Sequence, residues 1–375
     1  MKILAVDVGR GTQDILLYSQ ESELENSIQL ILPSRTVLLA QRLEEATRLG
    51  QRAIFHGVTM GGGPVKRAAR RHIESGAFLA ATPGAAATFS DDPGELEEMG
   101  VHLVEENEAL SLAGEKNSLL FETADVHLGS LRASLKAWGV KADFDMAAVS
   151  VQDHGAPPPH ESNRRYRFQY FRESLGKDPR LPVQCHSGEE VPARFTRMLG
   201  VRESLSGYGN MIIMDTGFAA ILGACLDHLV APHVNKALIN IGNGHTLAAL
   251  VEGMRIRSLF EHHTGQLTPS SFNALLDELA DGAIEDHVIF KEGGHGAYRD
   301  GEPYGGHRSV EIWSLTGPRR QPFAEALEGA YQAAPFGSMM QCGCFGLLAA
   351  FFWRYPDLSG PGEEKFLAPL EDMEP

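Results

Sequence analysis

Lys2-Ile-Leu-Ala-Val-Asp7-Val-Gly9-Arg10-Gly11-Thr12-Gln13-Asp14-Ile-Leu-Leu17 reads as an apolar strand, a carboxylate, a Gly-x-Gly turn with a hydroxyl, and a second apolar strand. The same phrase returns in the second half as Ala237-Leu-Ile-Asn240-Ile-Gly242-Asn243-Gly244-His-Thr246-Leu-Ala-Ala-Leu250. Glycine tolerates positive φ and lets backbone N–H groups approach an anion with no Cβ in the way. A carboxylate before such a turn cannot bind phosphate, but it can hold the Mg²⁺ that does, usually through water. A single copy is equally well a tight hairpin, because Gly, Asn and Asp dominate those turns. Two copies in comparable strand context point to a nucleotide clamped between two related halves.

Outward from the first hairpin, Ser27 to Leu32 predicts a third strand, Thr36 to Leu49 an amphipathic helix, and Arg52 to Val58 another strand. Gly61-Gly62-Gly63-Pro64 breaks the chain before a basic helix, where Pro64 fits because its missing N–H is not needed in a first turn. Ala77 to Phe89 is rich in Ala and Gly and gives no clear pattern. Leu128, Leu131, Leu135 and Trp138 recur at helical spacing. Asp145 to Val151 is a continuous apolar run of the kind found in buried parallel strands, ending at Gln152-Asp153-His154-Gly155 and the run Pro157-Pro158-Pro159.

His160 to Gly209 reads as a helical insertion and crossover, Asn210 to Met214 as a strand, and Phe218 to Leu226 as a small-residue helix begun by Asp215-Thr216-Gly217. After the second hairpin come a strand from Met254 to Phe260, a helix from Pro269 to Leu279, a strand at Trp313 and a last helix from Met339 to Phe352. Strand, strand, strand, helix, strand is thus the order in both halves, and an internal repeat constrains the fold strongly.

The chain has 375 residues, 43% of them hydrophobic, enough for a large core and for two domains. Its formal net charge of −16 gives no basic surplus to neutralise phosphates, which argues against a nucleic-acid partner. Lys66, Arg67, Arg70 and Arg71 are expected on a solvated helix face, and Arg164-Arg165-Tyr166-Arg167-Phe168 either contacts an anion or simply opens a helix. No apolar stretch reaches membrane-spanning length, and Met1-Lys2-Ile3 leads into a strand with no signal-peptide pattern. Four cysteines make no disulfide framework, so a reducing cytoplasm is the expected location.

In this order the motifs resemble the actin, heat-shock chaperone and sugar-kinase superfamily of ATPases. Asp7-x-Gly9-x-Gly11-Thr12 is similar to its first phosphate motif and Asn240-x-Gly242-x-Gly244-x-Thr246 to its second. Asp215 to Gly223 resembles the first connecting helix, Thr316-Gly317-Pro318-Arg319 falls at the adenosine motif, and Gly343 to Ala350 resembles the closing helix. Within the superfamily the chain looks like the family labelled pyruvate formate-lyase activating enzyme. Radical-SAM activating enzymes need Cys-x-x-x-Cys-x-x-Cys, which this sequence lacks, so that chemistry is not expected.

The resemblance implies an α/β fold of two ribonuclease-H-like domains, mixed sheets flanked by helices, with a nucleotide cleft between them. Expected boundaries are 1–205 with a helical insertion near 156–205, then 206–355, then a polar tail at 356–375. It implies ATP and Mg²⁺ as cofactors, and hydrolysis or transfer of the γ-phosphate to a small molecule. The alternative is a nucleotide-dependent activator or scaffold for a partner enzyme, and a third is a relative that keeps the fold and binds another anion. A homodimer is compatible with either but carried by no motif.

Asp7 and Asp215 are the candidate metal ligands, and Asp7, Asp153, His154 and Asp215 the candidate catalytic residues. Asp153 or His154 would position a water or hydroxyl for in-line attack, unless Asp153 only caps its own turn. Gly9, Arg10, Gly11, Thr12, Gln13, Gly242, Asn243, Gly244 and Thr246 would cradle phosphates, with Gly317 and Arg319 at the adenosine. Three departures bear on this. Asn240 replaces a usual Asp, Pro318 offers no N–H where Gly-Gly is usual, and Glu292-Gly293-Gly294-His295-Gly296-Ala297-Tyr298 is a rival adenosine loop.

His262-His263, and Asp153, His154, His160 and Glu161, could supply metal ligands, but no recognised zinc spacing appears among the fifteen histidines. Cys342 and Cys344 raise an iron–sulfur link between subunits. Residues two apart on a helix point to opposite sides, which favours buried packing instead.

Overall fold

A computed structural model describes residues 1–141, 143–158, 160–301 and 305–370. Pro159 of the proline run and the last five residues of the expected polar tail lie outside these.

Two six-stranded sheets share one plan. In the first, β1 (Lys2–Val8), β2 (Thr12–Ser19) and β3 (Ile28–Pro33) form an antiparallel meander. Four further strands lie between it and the next member of this sheet, β8 (Met146–Val151), which lies parallel to β1. β9 (Cys185–Ser187) and β10 (Met211–Met214) complete the order β3-β2-β1-β8-β10-β9, with β10 parallel to β8 and β9 antiparallel at the edge.

The second sheet repeats this with the meander β11 (Asn235–Ile241), β12 (His245–Glu252) and β13 (Arg255–His263). β14 (Gly296–Arg299) pairs outside β13, while β15 (Ile312–Thr316) and β16 (Tyr331–Gln332) lie parallel on the other side, giving β14-β13-β12-β11-β15-β16. The strand repeat read from the sequence is therefore a sheet repeat.

A third sheet was not anticipated. β4 (Arg52–Gly57), β5 (Leu79–Ala81), β6 (His102–Leu103) and β7 (Ser118–Thr123) pair only with one another, all parallel, in the order β6-β5-β4-β7. The strand read at Arg52 belongs to this inserted unit, and the patternless stretch from Ala77 contains β5 and a helix at Pro83–Ala86. The expected boundary at 205/206 falls before Met211–Met214, whose hydrogen bonds lie in the first sheet.

Two helices fill the space between the six-stranded sheets. Thr216–Ala224 and Cys342–Arg354 are apolar on every side, as befits helices buried on all faces. They share a core with Ile3, Ala5, Leu16, Ala148 and Ile212 of the first sheet and Leu238, Leu247 and Ala249 of the second. The alternate residues of the first sheet, Leu4, Val6, Ile15, Ala147 and Val149, face Leu131, Leu135, Phe195 and Met198 on its other side. The period of two along each strand thus feeds two separate layers.

The helices cross at glycines. A Cβ on Gly223 would lie 1.8 Å from the Cys342 carbonyl oxygen, and one on Gly346 would lie 2.0 Å from that of Ala219. The segment read as a polar tail docks instead: Phe366 and Leu370 are buried, and the Tyr18 hydroxyl donates to Glu363 Oε1 at 2.6 Å.

Candidate functional site

Asp7 lies near the carboxyl end of β1, and the loops after β8 and β10 carry Asp153 and Asp215, so three parallel strands aim their exits at one place. A cavity of about 880 Å³ opens there. Its wall takes Asp7, Gly9, Arg10, Thr12, Asp153, His154 and Asp215 from the first half, and Gly242, Asn243, Gly244 and Gly317 from the second. The inserted unit contributes Thr59 to Pro64, Lys66 and Thr88 to Pro93. Gly11, Gln13, Thr246 and Arg319 are not on this wall. Gln13 donates to the Asp125 carbonyl, Thr246 meets the Thr264 hydroxyl, and Arg319 is exposed with its N–H on the Ile241 carbonyl.

The two Gly-x-Gly turns face each other and interlock. A Cβ on Gly11 would lie 2.6 Å from the Asn243 side-chain amide, and one on Gly244 would lie 2.8 Å from Cδ of Arg10. Each turn's middle residue therefore sits on the other turn's second glycine. None of Gly9, Gly11, Gly242 and Gly244 has positive φ, so the expected conformational reason does not hold here. These glycines supply space.

Asp7 Oδ1 accepts hydrogen bonds from Ser150 (2.5 Å) and Thr216 (2.6 Å). Its Oδ2 faces Gly343, where a Cβ would lie 2.2 Å away, so the glycine between Cys342 and Cys344 makes room for this carboxylate. Burial pushes the Asp7 carboxyl up, and the two hydroxyls pull it back in part. Opposite it across the hairpin register stands Asp14, also on the wall. Burial and the charge of Asp7 push Asp14 up to about 8, and its buried Oδ1 has no partner. Two close carboxylates, one with an orphaned oxygen, could hold a hard divalent cation. Asp14 was not among the residues expected at the site.

The other two aspartates are engaged. Asp215 caps the Thr216 helix, with Oδ1 on the Gly217 N–H (2.9 Å), and its Oδ2 accepts from Arg167 at 2.7 Å. Asp153 Oδ1 accepts from the Gly155 N–H (2.7 Å) and Oδ2 from that of Met198 (2.9 Å), the turn-capping arrangement, while burial raises its carboxyl to about 6. Arg167 is buried, and it also donates to Glu261 (2.9 Å) and to the Asp153 carbonyl (2.9 Å). It joins the loops after β8 and β10 to β13 of the second sheet. Its partners hold its charge firmly on despite burial. Sequence reading allowed Arg167 an anionic contact without seeing that its anions are internal.

Gly317 and Pro318 line the cavity, with Gly317 at φ +92° packed on the end of β11. Of the rival loop only His295 reaches the wall. Lys66, expected on a solvated face, lies on the wall and pairs with Glu95 at 2.8 Å. The thiols of Cys342 and Cys344 are buried and point to different carbonyls, of Ala220 and Asp14, each at 3.2 Å. Burial raises both well above the ordinary thiol range.

A family model described as "Putative pyruvate format-lyase activating enzyme (DUF1786)" matches residues 60–322. The chain belongs to this family. The matched span holds Asp153, Arg167, Asp215 and the second turn, while the first turn precedes it. Among proteins of curated function none matches. Solved structures similar to the chain include the ethanolamine utilization protein EutJ from Carboxydothermus hydrogenoformans, at 11% identity and a TM-score of 0.27, covering 94% of this chain and 90% of that one. The Aquifex aeolicus PPX-GPPA enzyme is 8% identical with a TM-score of 0.23, over 85% of this chain and 68% of that one. A nucleotide-free acetone carboxylase is 10% identical with a TM-score of 0.23, over 69% and 45%. Among the described residues no helix is long and apolar enough to cross a membrane.

Proposed function

We propose that this family member binds Mg-ATP between its two glycine turns and hydrolyses it slowly or passes its γ-phosphate to a small molecule. The observation that carries the reading is the reciprocal seating of Arg10 on Gly244 and Asn243 on Gly11. Those contacts set the turns face to face at strand exits, and Gly9, Gly242 and Gly244 on the wall present backbone with no Cβ toward an anion between them. In this reading the two six-stranded sheets are the cores of two ribonuclease-H-like domains, and the cavity is the cleft between them.

Asp7 would hold Mg²⁺, with Asp14 in the place the sequence reading gave to Asp215. A divalent cation would supply the countercharge that two neighbouring buried carboxylates lack, and would spread the charge of the transferring phosphoryl group. The Gly9–Thr12 and Gly242–Asn243–Gly244 turns would take the phosphates, and Gly317 with Pro318 the adenosine. The cavity's volume suits a ligand of this size.

A second reading gains support from Asp153. Its two oxygens each hold a backbone N–H, so the expected base is already occupied. That favours slow turnover and a role in which the nucleotide state is reported to a partner protein, as an activator would do.

The test is a calorimetric titration of the full chain with Mg-ATP beside Asp7→Asn, followed by phosphate release with candidate small molecules. Saturable binding, weakened at least about tenfold in the variant, is expected; that loss corresponds to about 1.4 kcal/mol. No heat and no competition by ADP would leave the fold with a different ligand.

A further inference from the structure

Four imidazoles, those of His154, His245, His263 and His295, pack together on the cavity wall, and three of them bring nitrogens close to one another. His154 lies in the loop after β8, His245 opens β12, and His295 precedes β14. One nitrogen from each lies within 4.8 Å of the others. His154 Nε2 stands 2.9 Å from His295 Nε2, and the rings of His245 and His295 are 4.7 Å apart. All three line the cavity, so the point they share has an open side.

We propose that His154, His245 and His295 hold a divalent transition-metal ion, zinc or one of similar preference, with a coordination position open to the cavity. Imidazole nitrogens suit such ions and not Mg²⁺. Three protein ligands and one open position is the arrangement of zinc sites that act on a bound water or substrate oxygen. Bonds of 2.0–2.1 Å in a tetrahedral site put ligand nitrogens about 3.3 Å apart, within a small side-chain shift of the separations here.

The competing account is a histidine–histidine hydrogen bond within ring packing. That accounts for the contact of His154 with His295 and, with His263 packed 4.8 Å from both His245 and His295, for the ring packing, but not for one nitrogen from each of His154, His245 and His295 lying within 4.8 Å of the others. The surrounding charge is compatible with a cation. Glu261 is buried beside the rings, and although burial opposes its charge, Arg167 holds its carboxyl well below the usual range. Glu261 and Asp215 flank Arg167, and Arg164 also reaches this side of the cavity, donating to the Gly294 carbonyl, so carboxylates and arginines balance around the rings.

The experiment titrates metal-stripped full-length protein with Zn²⁺, and separately with Co²⁺, in the absence of nucleotide, following heat and the visible bands of cobalt. One equivalent should bind, with a cobalt spectrum characteristic of nitrogen ligands. His245→Ala and His295→Ala should each lose at least about 100-fold in affinity, since even the partners of metal ligands are worth 10–100-fold. Circular dichroism selects the variants that fold, and His245→Asn serves if either alanine variant does not. Asp7→Asn should bind Zn²⁺ as the parent does, which separates this site from the Mg-ATP reading. Absence of binding, or one equivalent retained in the histidine variants, would overturn the proposal.

Discussion

Asp7 is the residue on which the site turns, and its surroundings show why three glycines lie near it in space. Gly9 and Gly11 shape the turn it precedes, and Gly343 leaves room for its second oxygen. Replacing Gly343 by Ala favours the helix by about 1 kcal/mol on propensity alone, so stability is not the informative readout. The added Cβ must instead move the Asp7 carboxylate. Gly343→Ala is predicted to keep the fold by circular dichroism and to bind Mg-ATP about tenfold or more weakly in calorimetry. Undiminished affinity would show that Asp7 is not a ligand.

The first turn was legible because Asp7, Gly9 and Gly11 fall within one short stretch of chain, although its glycines supply space and not positive φ. Asp14 was passed over because its importance comes from register, facing Asp7 across the hairpin. Arg167 was underread because its partners Asp215 and Glu261 lie 48 and 94 residues away in sequence. Nothing in one chain marks which distant carboxylate an arginine will meet.

At the scale of elements, the crossing of the Thr216 and Cys342 helices decides how closely the halves approach. Gly223 lets a carbonyl of the second helix rest where a methyl would stand. Alanine there gains helix propensity but meets backbone that can yield only by parting the helices. Gly223→Ala is therefore predicted to lower stability by about 1–3 kcal/mol, the usual cost of overpacking, measured as a lower urea midpoint at unchanged slope. A raised midpoint would show that the crossing is loosely packed. The small-residue helix was read at Phe218 to Leu226, though not its crossing with the last helix, and both meanders announced themselves by their apolar strands. The inserted sheet did not, since β5 and β6 have only three and two residues, too few for a period to register.

For the whole molecule, two sheets that share a meander followed by two parallel strands enclose two central helices and direct their loops at one cavity. Arg167 ties the exits of β8 and β10 to β13, so the two halves share a buried ionic link as well as a core. In the proposed complex both turns grip one ligand. Amide hydrogen exchange of the full chain, with and without Mg-ATP, tests this directly. Slowed exchange is predicted together at residues 9–12 and 242–246, over the same range of nucleotide concentration. Protection at one turn alone, or at neither while nucleotide is bound, would contradict the two-turn clamp.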